Sequence, residues 1–274
     1  MGGETGTTVT TVTVTAPAKL TLSLRVTGRR DDGYHLLDAE MVTVDLVDSL
    51  TFGPGHDLSV VDEIVGGTGT ADISSGPDNL VARALALVGR RASVRVVKRI
   101  PAGAGLGGGS ADAAAVLRWA GSADPALAVR LGADVPFCVR GGRARVTGIG
   151  ETIEPLAFEP RRFVLLLPPM GMNTTAVYRA WDERAREPGV PGADTGNELE
   201  EAAVAVVPRL AAWRDRMTEA CGQRPRLAGS GSTWFVEGRP PELGLEGREF
   251  LDLDGERAPL RAVETLPPEP DAPS

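Results

Sequence analysis

The sequence predicts an α+β protein built from two domains, and three stretches carry that expectation. Thr11 to Ala16 and Leu20 to Val26 alternate apolar with polar residues, the period of half-buried strands. Ala92 to Ile100 repeats the pattern, then runs through a glycine-rich loop into an Ala/Val/Leu helix that ends at Trp119. Beyond residue 158 the texture changes to a buried strand, Phe163 to Leu167, followed by helix-forming segments. The expected domains are residues 1–158 and 159–274.

Taken in order, residues 1–7 are small and polar and are expected to lack order. Pro17-Ala18-Lys19 is expected to break the first strand from the second. Gly28 to Gly33 reads as a charged turn, Met41 to Val47 as a third strand, and Asp48 to Asp57 as a turn-rich connection. Residues 62–77 read as loop. Asp78 is placed to cap a helix reaching about Val88, with Leu80, Ala84 and Leu87 on one face. Asp124-Pro125 is a cap followed by a first-turn proline, the start of a short helix. Val135 to Val139 and Ala144 to Thr147 read as strands around a Gly141-Gly142 turn.

In the second half, Asn173 or Thr174 caps a helix through Trp181, and residues 184–196 read as a linker rich in Pro, Gly and charge. Asn197 is placed to cap another helix. Leu210, Trp213 and Met217 share one face of a third. Arg226 to Val236 reads as a glycine turn entering a strand, residues 238–250 as loop and 264–274 as a tail. No internal repeat is present.

With 274 residues, 42% of them hydrophobic and 24% charged, the chain can bury a substantial core. A formal charge of −8 argues against a general nucleic-acid binder, which needs a basic stripe. Cys138 and Cys221 stand apart with no C-x-x-C, and read as free, buried thiols of a reducing compartment. His35 and His56 are too few and too separated for a zinc site. No apolar run has membrane-spanning length and MGGETGTTVTT lacks a signal-peptide core, so a cytoplasmic protein without a membrane partner is expected.

The chemistry concentrates between Pro101 and Ser110, in the order strand, glycine loop, helix. Glycines let backbone N–H groups approach a ligand, and a helix N-terminus adds free N–H groups and partial positive charge. Together they suit a phosphate chain. No lysine follows as a Walker loop requires. Gly103, Gly105 and Gly108 satisfy G-x-G-x-x-G, but the acidic residue of a dinucleotide site is missing downstream. A plain glycine-rich surface loop remains open. So does a third form, P-x3-G-L-x-(small)3, which Pro101, Gly105 and Leu106 fit in register.

That third form resembles the phosphate loop of the GHMP kinases, and GLGGGSADAA is similar to the version carried by members acting on a cytidylyl sugar alcohol. PAKLTLSLRVTGRRDDGYH resembles the first signature of the same group, LGADVPF its aspartate segment and LAGSGST its third, glycine-rich signature. The likeness spans residues 14 to about 237. Thr21 stands where the family usually has Asn, Cys138 replaces a Phe, and Ala111 replaces the second Ser of the loop.

The resemblance implies a ribosomal-protein-S5-like N-terminal domain and a ferredoxin-like C-terminal domain with the site between them. It implies ATP-dependent phosphorylation of the 2-hydroxyl of a cytidine-diphosphate-linked methylerythritol, a step of non-mevalonate isoprenoid synthesis. Lys19 and Asp134 would be the catalytic pair at the acceptor hydroxyl. Asp78, Asn79, Pro101, Gly103, Gly105, Leu106, Gly107, Gly108, Gly109 and Ser110 would bind ATP, with Ser110 also meeting Mg²⁺. Thr21, Tyr34, His35, Tyr178, Gly229, Ser230 and Gly231 would bind the acceptor, His35 by hydrogen bonds to cytosine and Tyr178 by stacking on it. The implied partners are small molecules, and the implied assembly is a monomer or weak homodimer. A kinase for another small alcohol, or a non-catalytic nucleotide-binding relative, stays open at this point.

Overall fold

A computed structural model describes residues 10–64, 74–122, 124–185 and 196–268. The expected N-terminal tail, most of the 62–77 loop, nearly all of the 184–196 linker and the end of the C-terminal tail lie outside those residues.

The first sheet is organised on two long strands, β1 (Val12–Arg29) and β2 (His35–Gly53), antiparallel over their whole length. β1 is therefore one strand, not the two that Pro17 was expected to separate. Proline lacks a ladder N–H, so it is tolerated on a strand at the edge of its sheet. β1 is such a strand, and the register shifts between Pro17 and Ala18. The other edge of β2 is shared. Its end, Ser49–Gly53, pairs β4 (Ser93–Lys98), and its start, Leu37–Val42, pairs β5 (Arg143–Gly148). β3 (Leu58–Asp62) lies parallel to β4, and β6 (Thr152–Pro155) closes the far edge. The expected turn from Asp48 begins later, because Asp48 is still within β2.

The helices of this half are α1 (Leu80–Leu87), α2 (Gly108–Trp119), α3 (Pro125–Ala128) and α4 (Val135–Arg140). α4 corrects the strand expected over Val135 to Val139. Every residue of that stretch is buried, so neither a helical nor a strand period shows in the sequence. The cap of α1 is Asn79, whose side chain accepts from Val81 N, and not Asp78. Asp124 caps α3 as expected.

The second sheet runs in the order β10-β11-β7-β9-β8, from β7 (Arg162–Leu166), β8 (Arg226–Leu227), β9 (Trp234–Glu237), β10 (Phe250–Leu253) and β11 (Glu256–Glu264). The helices of this half are α5 (Thr174–Ala185), α6 (Glu200–Val206) and α7 (Arg209–Cys221); α5 packs on α6, and α7 packs on the sheet, burying Leu210, Trp213 and Met217. The final hairpin lies between the segments expected as loop (238–250) and tail (264–274), a stretch given no element by the sequence. Asn197 does not hold the N-cap position of α6; its side-chain Oδ1 accepts from Leu199 N ahead of the helix.

The sheets meet in shared apolar cores. Leu20, Val42 and Leu106 from the first half cluster with Phe163, Leu165 and Phe235 from the second. Cys138 is buried, and burial, helped by the Asp134 charge, pushes its thiol up to about 12. Cys221 is only partly buried, against expectation, because it ends α7 at the surface. Among the described residues no helix is long and apolar enough to cross a membrane.

Candidate active site

A cleft of about 980 Å³ opens between the halves, and the glycine loop forms one wall. Gly103, Gly105 and Gly107 have φ of +67°, +76° and +69°, a region closed to most side chains. Gly107 is the N-cap of α2, so the helix opens directly onto the cleft. A Cβ on Gly105 would lie 2.1 Å from the Ala228 carbonyl oxygen, and one on Gly107 would lie 2.8 Å from Lys19 Cγ. The loop is thus glycine-rich partly because a lysine and a second glycine loop press against it. Pro101, Gly108, Gly109 and Ser110 line the same wall. Leu106 does not line the cleft: it is buried, and its carbonyl accepts from Lys19 N at 3.0 Å. Asp78 lines the cleft, while Asn79, which also lines it, spends its amide on the α1 cap and on the Ser74 carbonyl.

Beneath the loop lies an ion cluster that the sequence reading missed. Lys98 Nζ donates to both Asp48 Oδ2 and Asp112 Oδ2, and all three residues are buried. Asp48 also accepts from Arg99 N and Ile100 N, which anchors the upstream end of the loop. Two carboxylates share one ammonium. Burial, with the Asp48 charge adding and Lys98 opposing, raises the Asp112 carboxyl to about 7, and its Oδ1 has no hydrogen-bond partner among the described residues. Burial alone would lower Lys98, but the two carboxylates outweigh it and hold it raised. The available signal was the Ser110-Ala111-Asp112 run, where an acid sits inside an otherwise small and apolar helix.

Lys19 and Asp134 come together on the cleft, with the lysine packed against the loop. Lys19 Nζ stands 3.2 Å from Asp134 Oδ2 and donates to Thr21 Oγ1 at 3.1 Å. Asp134 holds the N-cap position of α4 but makes no capping bond with its side chain, which leaves the carboxylate for the lysine and the cleft. A Cβ on Gly229 would lie 3.3 Å from Lys19 Nζ, so the second glycine loop abuts the same ammonium. That loop is held from behind by Asn197, whose Nδ2 donates to the carbonyls of Leu227 and Gly229 at 2.8 and 2.7 Å. Ser230 Oγ lies 3.0 Å from Thr174 Oγ1, and Gly231 completes this wall.

The far end of the cleft is aromatic. His35 and Tyr178 stack with ring centroids 4.8 Å apart and planes 21° from parallel, and Trp181 meets His35 edge-on. Burial, and after it the Asp134 charge, raises the Tyr178 hydroxyl above its ordinary value. Tyr34 stands exposed beside them at the cleft mouth. His35 and Tyr178 touch each other, so a base cannot lie between them.

Known proteins are similar to this chain in sequence and in fold. Residues 79–142, from the α1 cap through the glycine loop and past Asp134, match the N-terminal domain of the GHMP kinases. The 4-diphosphocytidyl-2-C-methyl-D-erythritol kinase of Paracoccus denitrificans is 42% identical over 236 residues, covering 80% of this chain and 84% of that protein. The chain belongs to the 4-diphosphocytidyl-2-C-methyl-D-erythritol kinase family. The Dinoroseobacter shibae member is 38% identical over 260 residues, with 86% and 88% of the two chains covered. A crystal structure of a 4-(cytidine 5'-diphospho)-2C-methyl-D-erythritol kinase superposes with a TM-score of 0.69 at 33% identity, covering 92% of this chain and 98% of that one. The family's GHMP kinase fold is the two-sheet α+β arrangement described above.

Proposed function

We propose that this member of the family transfers the γ-phosphoryl group of ATP to the 2-hydroxyl of 4-diphosphocytidyl-2-C-methyl-D-erythritol. The observation that carries the reading is the meeting of Lys19 and Asp134 at 3.2 Å on a cleft, with the lysine packed against a glycine loop that opens a helix. Phosphoryl transfer asks a protein mainly for positioning and charge stabilisation. The N–H groups of the 103–109 loop and the start of α2 would bind the phosphate chain. Lys19, held by Asp134, Thr21 and the loop, would steady negative charge on the phosphoryl group in flight. Asp134 would take or anchor the acceptor hydroxyl proton.

Magnesium fits here as part of the nucleotide. Among the described residues no three His, Cys, Asp or Glu side chains cluster to hold an ion, and Mg²⁺ commonly keeps waters and takes substrate phosphates. Ser110, in the first turn of α2, would lend its hydroxyl. The bound ion would offset triphosphate charge. At the aromatic end, Tyr34, His35 and Tyr178 would hold the cytosine, and Gly229 to Gly231 would close over the acceptor. Strands change sheet between Pro155 and Arg162, which supports residues 1–158 and 159–274 as the two domains.

A coupled assay of ATP turnover over a panel of alcohols tests the assignment. Turnover with the cytidylyl substrate and none with homoserine or mevalonate is the expected result. Turnover with either of those in place of the cytidylyl compound would overturn it.

A further inference from the structure

His35 is held by one face of α5. Tyr178 stacks on it, Trp181 meets it edge-on, and Asp182 Oδ1 lies 2.8 Å from its Nε2. These are positions i, i+3 and i+4, which share a helix face. Arg29 Nη1 stands 3.5 Å from the other Asp182 oxygen, so the carboxylate is fixed from both sides. A carboxylate only accepts hydrogen bonds, so Nε2 must donate. The neutral ring then keeps its proton on Nε2 and a lone pair on Nδ1, which has no hydrogen-bond partner among the described residues. Both His35 and Asp182 line the cleft.

We propose that Asp182 is a specificity-determining positioning residue, which sets the His35 tautomer so that Nδ1 accepts from an amino-pyrimidine and rejects an oxo-pyrimidine. The argument rests on the base-pocket reading above and extends it to a residue that would not touch the base. Cytosine offers an exocyclic N–H₂ donor where uracil offers a carbonyl acceptor. A lone pair on Nδ1 pairs with the first and faces the lone pairs of the second. A neutral amide at position 182 removes the constraint, because its NH₂ can donate to Nε2 and let the proton move to Nδ1. The ring would then offer a donor to uracil.

The test is calorimetric titration of CDP and of UDP into the full chain at pH 8, for wild type, Asp182→Asn and Asp182→Glu. The expected result is a wild-type preference for CDP that falls about tenfold or more in Asp182→Asn, on the scale of one hydrogen bond gained or lost, with ATP affinity within about twofold. Asp182→Glu, which keeps an acceptor, should recover part of the preference. An undiminished CDP preference in a folded Asp182→Asn overturns the inference and leaves the base pocket standing. Equal wild-type affinities for CDP and UDP would instead remove the base pocket itself. Nitrogen NMR of the wild-type imidazole is an independent arm: protonation at Nε2 supports the inference, and a dominant Nδ1–H tautomer overturns it.

Discussion

Lys19 Nζ and Asp134 Oδ2 lie 3.2 Å apart, the lysine side chain 6% exposed and the aspartate 31%. The ammonium is packed away under both glycine loops while the carboxylate keeps a face on the cleft. That asymmetry suits a buried cation that stabilises charge and an accessible carboxylate that meets the acceptor.

Replacement of the aspartate separates these roles. Asp134→Asn keeps shape and removes basicity, so kcat should fall by about 10²–10⁴ with a much smaller change in KM. Lys19→Met should also lower kcat. The double variant should lose less than the product of the single losses, because the two groups touch. Steady-state kinetics checks all three, and a kcat for Asp134→Asn within a few-fold of wild type would remove its assignment.

The glycine loop yields a prediction with an internal control. Gly107 and Gly121 share a left-handed backbone, at φ +69° and +71°, but a Cβ at 107 meets Lys19 while one at 121 meets nothing within 4 Å. Gly121→Ala should cost only backbone strain, about 1 kcal/mol, with normal kinetics. Gly107→Ala should pay that and displace Lys19, weakening ATP binding and lowering kcat together. ATP titration and turnover of both variants distinguish the two effects.

The Asp48–Lys98–Asp112 cluster predicts a pH dependence of stability. The Asp112 carboxyl stands at about 7 in the folded state, against an ordinary value of 3.8. Below the ordinary value both states hold the proton. Between there and about 7 only the folded state does, so unfolding releases a proton and stability falls as pH rises, by a few kcal/mol at most. Asp112→Asn should flatten that slope and be the more stable protein at pH 8, since Lys98 keeps Asp48 as its counter-ion. Urea melts at pH 5 and pH 8 give the sign directly.

Asn197 is expected to matter for the loop it holds. Asn197→Ala strips the donor from the Leu227 and Gly229 carbonyls, and an unsatisfied buried acceptor costs about 1–3 kcal/mol. Denaturant melts should report a loss on that scale. Proton exchange should quicken at the amides of 228–231, which abut Lys19.

Tyr178→Ala removes both a stacking face for a base and the support of His35. Stacking of this kind is worth about 1–3 kcal/mol per base, so KM for the cytidylyl substrate should rise by roughly five-fold to more than a hundred-fold. KM for ATP should stay near its original value. Equal changes in both would separate Tyr178 from the base.

The sequence by itself determined the parts that depend on local pattern. Alternation in Val12–Arg29 and Ser93–Lys98 encodes strands, and the glycine run followed by an Ala-rich stretch encodes a loop opening a helix. Asp124 and the Leu210, Trp213, Met217 face were legible for the same reason. Motif likeness selected Lys19 and Asp134 as the candidate pair. Only tertiary structure decided what depends on neighbours from distant chain. Pro17 stays within a strand because that strand lies at the edge of its sheet, which no local window contains. Val135–Val139 is helical because it is buried on every side, which erases its period. Asp48, Lys98 and Asp112 carry no signal singly; they form a cluster because β2, β4 and α2 converge there. Asp182 reads as one more charge on a helix surface until β2 brings His35 to its face. Burial and pairing are properties of the assembled layers, whereas propensity and periodicity belong to the chain.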